Sequence, residues 1–156
     1  MEVISEDYFG HPVPRIGFGC CPMGQHGWGR VEENELTNAV HLALELGITF
    51  FDTADIYGLG KSEDTLGNAL KNKRSEAFIS TKFGVKCQNG KTTYDNSKEW
   101  INIALGNSLK RLHTDYIDLY QLHYWDNETP IEDIIESLID LRSAGKIRNF
   151  GVSNLN

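Results

Sequence analysis

Short apolar runs alternate along this chain with longer segments whose apolar residues recur at helical spacing. The runs are rich in β-branched and aromatic residues and predict five buried strands, at residues 15–19, 48–51, 77–80, 116–122 and 147–152. The segments between them predict four helices, with apolar stripes from Leu36 to Leu44, Leu66 to Leu70, Ile101 to Leu112 and Ile131 to Leu141. This alternation indicates a parallel sheet with helices outside it and right-handed crossovers.

Polar and special residues mark the ends of these predicted helices. Ser62 is a candidate N-cap for the second helix. Thr129 can cap the fourth helix, where Pro130 suits the first helical position. Gly47 and Gly145 follow the first and fourth helices as C-terminal stops.

Two architectures satisfy such an alternation, a doubly wound sheet and a (β/α) barrel. No G-x-G-x-x-G sequence opens a helix here, so the dinucleotide-binding fingerprint of the doubly wound fold is absent. Residues 1–156 are expected to form a single domain, without a linker or low-complexity tract. A Gly-His-Pro turn between short β-like pieces predicts that residues 1–14 form a hairpin, which would close the bottom of a barrel.

Charge and composition exclude several classes of function. The formal net charge of -7, without a basic block, disfavours binding to nucleic acid or to an anionic membrane surface. No apolar run approaches the roughly 18 residues that a membrane span needs, and the N-terminus lacks the pattern of a signal peptide. The three cysteines have no zinc or redox spacing, so we expect no metal site and reduced thiols in a cytoplasmic protein.

Polar residues follow four successive predicted strands at the points where those strands end. Asp52 ends the second strand, Lys82 the third, His123 the fourth, and Ser153 with Asn154 the fifth. Any one of them alone is more often a helix cap, a turn former or a hydrogen-bonded structural residue. In a parallel sheet, however, all these strand ends lie on one face, which is where (β/α) barrels place their chemistry.

The residue types at these strand ends, together with nearby Tyr57, suit one chemical task. Tyrosine has an ordinary pKa near 10, so losing a proton near pH 7 requires about 4 kcal/mol of stabilisation. An ammonium about 4 Å away supplies roughly that amount at an effective dielectric constant near 20, and Lys82 is expected to lower the pKa of Tyr57 in this way. Asp52 would hold Lys82, and His123 would orient a carbonyl oxygen. The set predicts protonation of a carbonyl oxygen as it becomes an alcohol, with the hydride drawn from a nicotinamide cofactor.

Several longer motifs, in a fixed order, carry a resemblance to one family. They are "GFGC" (17–20), "FDTADIYGLGKSEDTLGNAL" (51–70), "ISTKFG" (79–84), "DLYQLH" (118–123) and "AGKIRNFGVSN" (144–154). With them the chain resembles the aldo-keto reductase family, and it looks more like the bacterial and broad-specificity branches. The resemblance implies a (β/α)8 TIM barrel that reduces aldehydes and ketones with NADPH, or sometimes with NADH.

The resemblance also implies a set of site residues. The catalytic tetrad would be Asp52, Tyr57, Lys82 and His123, with Tyr57 as the general acid and, in the reverse direction, the general base. The cofactor-binding residues would be Gly19, Cys20, Asp52, Ser153 and Asn154, of which the last two match residues that hold the nicotinamide carboxamide.

The substrate pocket is less well defined by the sequence. Trp28, in the long loop after the first strand, and Trp125, just after His123, are expected to line it beside Tyr57. The alternative for both tryptophans is simple packing of an aromatic side chain in a loop. Residues 83–96 are expected to form a polar loop that reaches over the site.

A (β/α)8 barrel needs roughly 250 residues, whereas this chain contains only five predicted strands and four helices. We expect it to be the front part of a longer reductase. One alternative is a short protein that completes its barrel by association, with self-association possible through open sheet edges, or that binds a partner without turnover. A second is an inactive truncated fragment. Another is a non-catalytic, cofactor-binding regulatory module of the same fold, like the β subunits of potassium channels.

Overall fold

The computed structural model of the chain describes residues 3–4, 12–25 and 27–155. The five predicted strands of the main sheet and the four predicted helices all occur. The strands are β1 Val3–Ile4, β2 Val13–Pro14, β3 Phe18–Gly19, β4 Phe50–Asp52, β5 Phe78–Phe83, β6 Val85–Gln88, β7 Lys91–Tyr94, β8 Ile117–Leu122 and β9 Ile147–Val152. The α-helices are α1 Glu33–Glu45, α2 Lys61–Ala69, α3 Lys98–Arg111 and α4 Ile131–Ser143, and short 3-10 turns span Cys21–Gly24 and Arg74–Glu76.

The main sheet is parallel and its strands follow the order β3-β4-β5-β8-β9. Each strand therefore pairs with the one before it in this series, in registers such as Phe18 with Phe51 and Phe51 with Ile79. A doubly wound sheet would reverse its strand order partway across. The continuous order confirms the barrel, and the sheet forms five strands of a (β/α)8 barrel with the helices outside it.

The hydrophobic core lies between this sheet and the helices. Side chains alternate along a strand, so Ile79 and Phe83 of β5 face the helices while Ser80 and Lys82 face the other way. The helices bury the stripes predicted from their spacing. Core residues from these elements include Leu36, Val40, Leu66, Ile101, Leu105, Leu112, Ile134 and Leu138. All six residues of β5 are buried, and β5 is the central strand of the main sheet.

Two predicted helix caps are wrong. The N-cap of α2 is Gly60, with a φ of 97°, because the chain turns sharply there and places Ser62 inside the helix. The Ser62 hydroxyl instead makes tertiary hydrogen bonds. The N-cap of α4 is Pro130, and the Thr129 hydroxyl donates to Asp126 Oδ2 at 2.7 Å.

The predicted polar loop over residues 83–96 contains a β-hairpin instead. β6 and β7 pair antiparallel from Val85 opposite Tyr94 to Gln88 opposite Lys91. Asn89 and Gly90 form the turn with φ values of 51° and 75°. Asn-Gly between two strands is a strong hairpin signal, since both residues tolerate positive φ, and this signal was present in the sequence.

Near the N-terminus, β1 and β2 pair antiparallel, with Val3 opposite Pro14. Residues 5–11, between these strands, fall outside the described part of the chain, so closure of the barrel bottom by a hairpin over residues 1–14 stays a prediction. No described helix has the length and apolar character needed to cross a membrane. The sheet ends at β3 and β9, and Val152 in β9 is 58% exposed. Self-association through these edge strands also remains a prediction.

A buried ion-pair cluster ties the amino ends of the strands together. Asp118 in β8 is 1% exposed in its side chain and accepts from Arg74 Nη2 at 2.6 Å and from Arg148 Nη1 at 2.9 Å. It also accepts from the backbone N–H of Ile79. The two guanidinium groups lie 4.2 and 4.1 Å from the centre of the Tyr116 ring. Because the cluster joins β5, β8 and β9 at the end away from the polar strand termini, we assign it a structural role.

Replacing Arg74 with methionine should lower the free energy of unfolding by about 3 kcal/mol, since it removes a partner of a buried carboxylate. Arg148→Met is the matched control, because Arg148 contacts the same carboxylate with a side chain that is 51% exposed. Exposed ion pairs contribute at most about 1 kcal/mol. Urea unfolding followed by circular dichroism measures both variants. If both variants lose the same free energy of unfolding, the burial of the arginine does not determine how much it contributes to stability.

Candidate active site

The carboxyl ends of β4, β5 and β8 meet at one edge of the sheet and bring together the predicted ion pair. Asp52 is the last residue of β4, and Lys82 lies near the end of β5. Lys82 Nζ donates to Asp52 Oδ2 at 2.7 Å and to the backbone oxygen of Thr53 at 2.9 Å. The lysine side chain is 8% exposed and the aspartate side chain 36%. The ammonium is thus held at a defined place at the edge of the buried region.

Tyr57 and His123 complete this cluster. Tyr57 lies in the turn between β4 and α2, and its ring centre is 5.3 Å from Lys82 Nζ. His123 directly follows β8, and its ring lies edge-on to that of Tyr57, with centres 5.8 Å apart and planes at 83°. The structure therefore brings the four predicted tetrad residues together from three strand ends and one turn.

The pKa of Tyr57 is raised to about 12, first by burial and then by the nearby Asp52 carboxylate. The sequence predicted the opposite direction, because it placed the Lys82 ammonium as the dominant neighbour of the phenol. In the structure this ammonium is bound by Asp52 and by the Thr53 carbonyl oxygen. Tyr57 therefore keeps its proton at neutral pH, which is the form that can donate to a substrate.

His123 is neutral at pH 7, since burial, and next the Lys82 ammonium, lower its pKa to about 4. Its main-chain N–H donates to the backbone oxygen of Phe83 at 2.9 Å, and Asn154 Nδ2 donates to its carbonyl oxygen at 3.0 Å. The buried Nδ1 atom has no hydrogen-bond partner among the described residues. A neutral imidazole carries one N–H, so His123 can donate a single hydrogen bond to an oxygen without adding charge to the site.

The residues predicted to bind a cofactor lie around the same strand ends, but the side chain of one of them, Cys20, is buried. Gly19 ends β3, and no atom lies within 4 Å of the place where a Cβ would be, so the backbone there faces open space. Ser153 and Asn154 follow β9, and the Asn154 side chain joins this segment to His123. Cys20 is fully buried, and burial raises the pKa of its thiol. Its side chain therefore belongs to the core, which leaves only its backbone for ligand contacts.

The two predicted pocket tryptophans differ in their surroundings. Trp125 packs against the hydrophobic core, and its indole Nε1 donates to the backbone oxygen of Thr129 at 2.8 Å. These contacts fit the alternative of loop packing. Trp28 is 62% exposed. A pocket-lining role for either one stays a prediction.

Three residues around the tetrad were not anticipated. Ser80 Oγ donates to Asp52 Oδ1 at 3.0 Å and accepts from Gln121 Nε2 at 2.8 Å, which adds a second set of contacts to the carboxylate. The Tyr124 ring stacks on His123 with centres 4.9 Å apart. Ser80 and Gln121 could have been found from the strand period, because they precede Lys82 and His123 by two positions and share their face of the sheet.

A second buried group of polar side chains lies on the helix side of the sheet. Glu63 is fully buried, accepts from Thr81 Oγ1 at 2.6 Å and pairs with Arg111 Nη2 at 2.6 Å. Burial, and then the Glu63 carboxylate, raise the pKa of Asp55 to about 8. Asp55 Oδ1 is buried without a hydrogen-bond partner among the described residues. Asp55 is therefore mainly protonated at pH 7 in the folded chain.

The raised pKa of Asp55 predicts a pH-dependent stability. Between about pH 4 and 8 the unfolded chain loses the Asp55 proton while the folded chain retains it, so this group makes stability fall as pH rises. Asp55→Asn mimics the neutral carboxylic acid and should therefore remove the fall in stability that Asp55 causes as pH rises. We expect the variant to exceed the wild type at pH 9 by at least about 1.4 kcal/mol, the equivalent of one pKa unit.

Urea unfolding at pH 5 and pH 9 measures this difference. Asp115→Asn, at an exposed position, makes the same chemical change as a control and should leave the wild-type pH dependence intact. If Asp55→Asn and the wild type keep the same stability difference at both pH values, Asp55 is ionised in the folded chain and the assignment is wrong.

Among the described residues, no group of three or more histidine, cysteine, aspartate or glutamate side chains could hold a metal ion. The cluster instead combines a protonated phenol, a neutral imidazole and an ammonium paired with a carboxylate. These are the parts of a proton-donating site around an oxygen atom.

Comparison with known proteins gives one consistent family. A model of the Aldo/keto reductase family matches residues 15–156. The chain is 41% identical over 156 residues to aldo-keto reductase YhdN of Bacillus subtilis, a match that covers 99% of this chain and 47% of the relative. The chain spans about half the length of the curated relatives it matches.

Solved structures agree with this match. The aldo-keto reductase AKR11C1 from Bacillus halodurans, in its holo form, superimposes with a TM-score of 0.87 and 37% identity, over 98% of this chain and 50% of that one. An aldo-keto reductase from Klebsiella pneumoniae in complex with NADPH superimposes with a TM-score of 0.79 and 32% identity, over 93% of this chain and 47% of that one. The strand order, the strand-end cluster and these matches together show that the chain belongs to the aldo/keto reductase family.

Proposed function

We propose that the protein reduces aldehydes or ketones to alcohols with Tyr57 as the proton donor. The observation that carries this proposal is the protonated phenol of Tyr57, held beside a neutral His123 and the Lys82–Asp52 pair at the strand ends. In the reduction, the carbonyl carbon accepts a hydride, and the carbonyl oxygen takes the Tyr57 proton as its double bond to carbon becomes single. The reverse reaction would use the tyrosinate as the base.

The other residues of the cluster would position the substrate and the donor. His123 would donate a hydrogen bond to the carbonyl oxygen and so hold it next to the Tyr57 hydroxyl. The Lys82 ammonium would stabilise the negative charge that Tyr57 acquires when it gives up its proton. Asp52, fixed by Ser80 and Lys82, would keep this ammonium in place.

We propose NADPH as the cofactor, with NADH as a less favoured choice. The Klebsiella pneumoniae neighbour was solved with NADPH. The chain fits such a ligand because the backbone at Gly19 faces open space and Asn154 and Ser153 present side chains next to His123. The Asp52 carboxylate, partly exposed, would face the ribose side. The nicotinamide, when bound, supplies the hydride.

The proposal is tested with a completed barrel that contains residues 1–156, NADPH and a panel of aliphatic and aromatic aldehydes and ketones. Loss of NADPH absorbance that depends on the carbonyl compound, with the alcohol identified by mass spectrometry, is the expected result. Fluorescence titration measures NADPH binding separately. Binding without turnover on any carbonyl compound would contradict the proposed reaction and favour the regulatory alternative. A small carbonyl compound as the substrate, no binding to nucleic acid or membrane, and a cytoplasmic location stay predictions.

A further inference from the structure

Two backbone segments touch directly beside the proposed proton donor. One is the 3-10 turn Cys21–Gly24, and the other is the peptide between Tyr57 and Gly58. A Cβ on Gly24 would lie 2.7 Å from the Gly58 nitrogen and 2.8 Å from the Tyr57 carbonyl carbon. A Cβ on Gly58 would in turn overlap the Gly24 carbonyl oxygen. Neither position can accept a side chain unless one of the two backbones moves.

The turn is firmly attached to the strand end that carries Asp52. The Cys20 N–H donates to the backbone oxygen of Asp52 at 2.8 Å, and the Ser62 hydroxyl donates to the Cys20 carbonyl oxygen at 2.7 Å. Thr53 Oγ1 lies 2.9 Å from Ser62 Oγ, so β4 and α2 both contribute to the attachment. Met23 within the turn is fully buried. These hydrogen bonds and the burial of Met23 fix the turn in place where it packs against the peptide between Tyr57 and Gly58.

The peptide between Tyr57 and Gly58 packs directly against the Cys21–Gly24 turn. The Tyr57 N–H donates to the Ala54 backbone oxygen at 3.1 Å, and the Tyr57 carbonyl oxygen accepts from the backbone N–H of Ser62, in the first turn of α2, at 3.2 Å. The Tyr57 ring contacts His123 edge-on and lies near the Lys82 ammonium. The position of the Tyr57 ring therefore depends on the position of the Tyr57 backbone.

We propose that Gly24 is a positioning residue for proton transfer, because the absence of a side chain there lets the turn hold the Tyr57 peptide at the distance that directs the phenol to the substrate. The inference rests on the proposed function. Gly24 is not among the glycines with positive φ, so alanine would fit its backbone conformation, and the nearest atoms to an added Cβ belong to the peptide between Tyr57 and Gly58.

Gly24→Ala should therefore move the Tyr57 peptide by a few tenths of an ångström to half an ångström. Misplacement by about 1 Å can cost a hundredfold in rate, so we expect kcat to fall by about tenfold or more while KM and NADPH affinity change by less than about threefold. Gly106→Ala is the matched control, because Gly106 lies in α3 with no atom within 4 Å of the added Cβ. Its kcat should equal that of the wild type.

A double-mutant cycle separates positioning from general destabilisation. In a Tyr57→Phe background there is no phenol to misplace, so Gly24→Ala should cause no further loss of the residual rate. An equal loss in both backgrounds would overturn the proposal, as would a wild-type kcat for Gly24→Ala. If Gly24→Ala does not fold, Ser62→Ala gives the same test, since it removes the hydroxyl that holds the turn without adding an atom.

A readout without turnover keeps this inference distinct from the proposed function. The imidazole proton resonances of His123, assigned with His123→Gln, sense the edge-on Tyr57 ring in the NMR spectrum of the full chain. Gly24→Ala should shift these resonances, whereas Gly106→Ala should not. If the wild type reduces no carbonyl compound but the shift occurs, the function fails and the positioning contact stands. Unshifted His123 resonances in folded Gly24→Ala would overturn the contact whatever the activity.

Discussion

In a completed barrel, Tyr57→Phe should lower kcat for carbonyl reduction by at least about a hundredfold, the low end of the effect of a general acid. The substitution removes only the hydroxyl that carries the transferable proton and keeps the ring that contacts His123 edge-on. NADPH affinity should be nearly unchanged, because none of the predicted cofactor contacts involves the Tyr57 hydroxyl.

Steady-state kinetics and NADPH fluorescence titration measure the two effects. Tyr116→Phe is the control, since it makes the same chemical change within the ion-pair cluster at the other end of the strands. The control should retain the wild-type kcat. Wild-type turnover by Tyr57→Phe would remove Tyr57 from the mechanism.

Lys82→Met should also reduce kcat by about a hundredfold or more, because the side chain keeps its bulk but loses the charge that stabilises the developing tyrosinate. It should change the titration of His123 as well. Lys82 lowers the pKa of His123 and Asp52 raises it, so removal of the ammonium should lift that pKa above its wild-type value of about 4.

The sign of the resulting pH effect follows from the wild-type shift. Between about pH 6.5 and 4 the unfolded chain binds a proton at histidine and the folded chain does not, so His123 makes the wild type less stable as pH falls. In Lys82→Met, a higher pKa of His123 makes the loss of stability on lowering the pH smaller. Below that pKa the imidazole is charged, so His123 can no longer act as the neutral hydrogen-bond donor.

NMR titration of the His123 imidazole measures the shift directly. Lys86→Met is the control, because Lys86 pairs with Asp95 and lies over the Trp100 ring, and it is not among the charges that shift the pKa of His123. If the His123 titration is the same in Lys82→Met and in the wild type, the Lys82–Asp52 pair does not control the electrostatics of the site.

The sequence by itself determined the elements and the members of the cluster. Each strand and helix of the barrel is encoded by the spacing of apolar residues within a contiguous segment. Such local patterns can be read from the sequence without the tertiary structure. Asp52, Lys82 and His123 could be grouped because parallel strands present their carboxyl ends on one face, so that chain position alone implies proximity. The Asn-Gly turn of the hairpin at residues 89–90 is an equally local signal, since both residues tolerate positive φ.

The tertiary structure decided the properties that depend on neighbours distant in the chain. The pKa of Tyr57 is raised and not lowered because burial and Asp52 outweigh an ammonium that is already paired, and neither burial nor pairing can be read from a local pattern. Ser62 looked like a helix cap, but packing of α2 against the first turn directs its hydroxyl to Cys20. The contact between Gly24 and Gly58 joins residues 34 positions apart, and only the packing of two turns shows why both must lack a side chain.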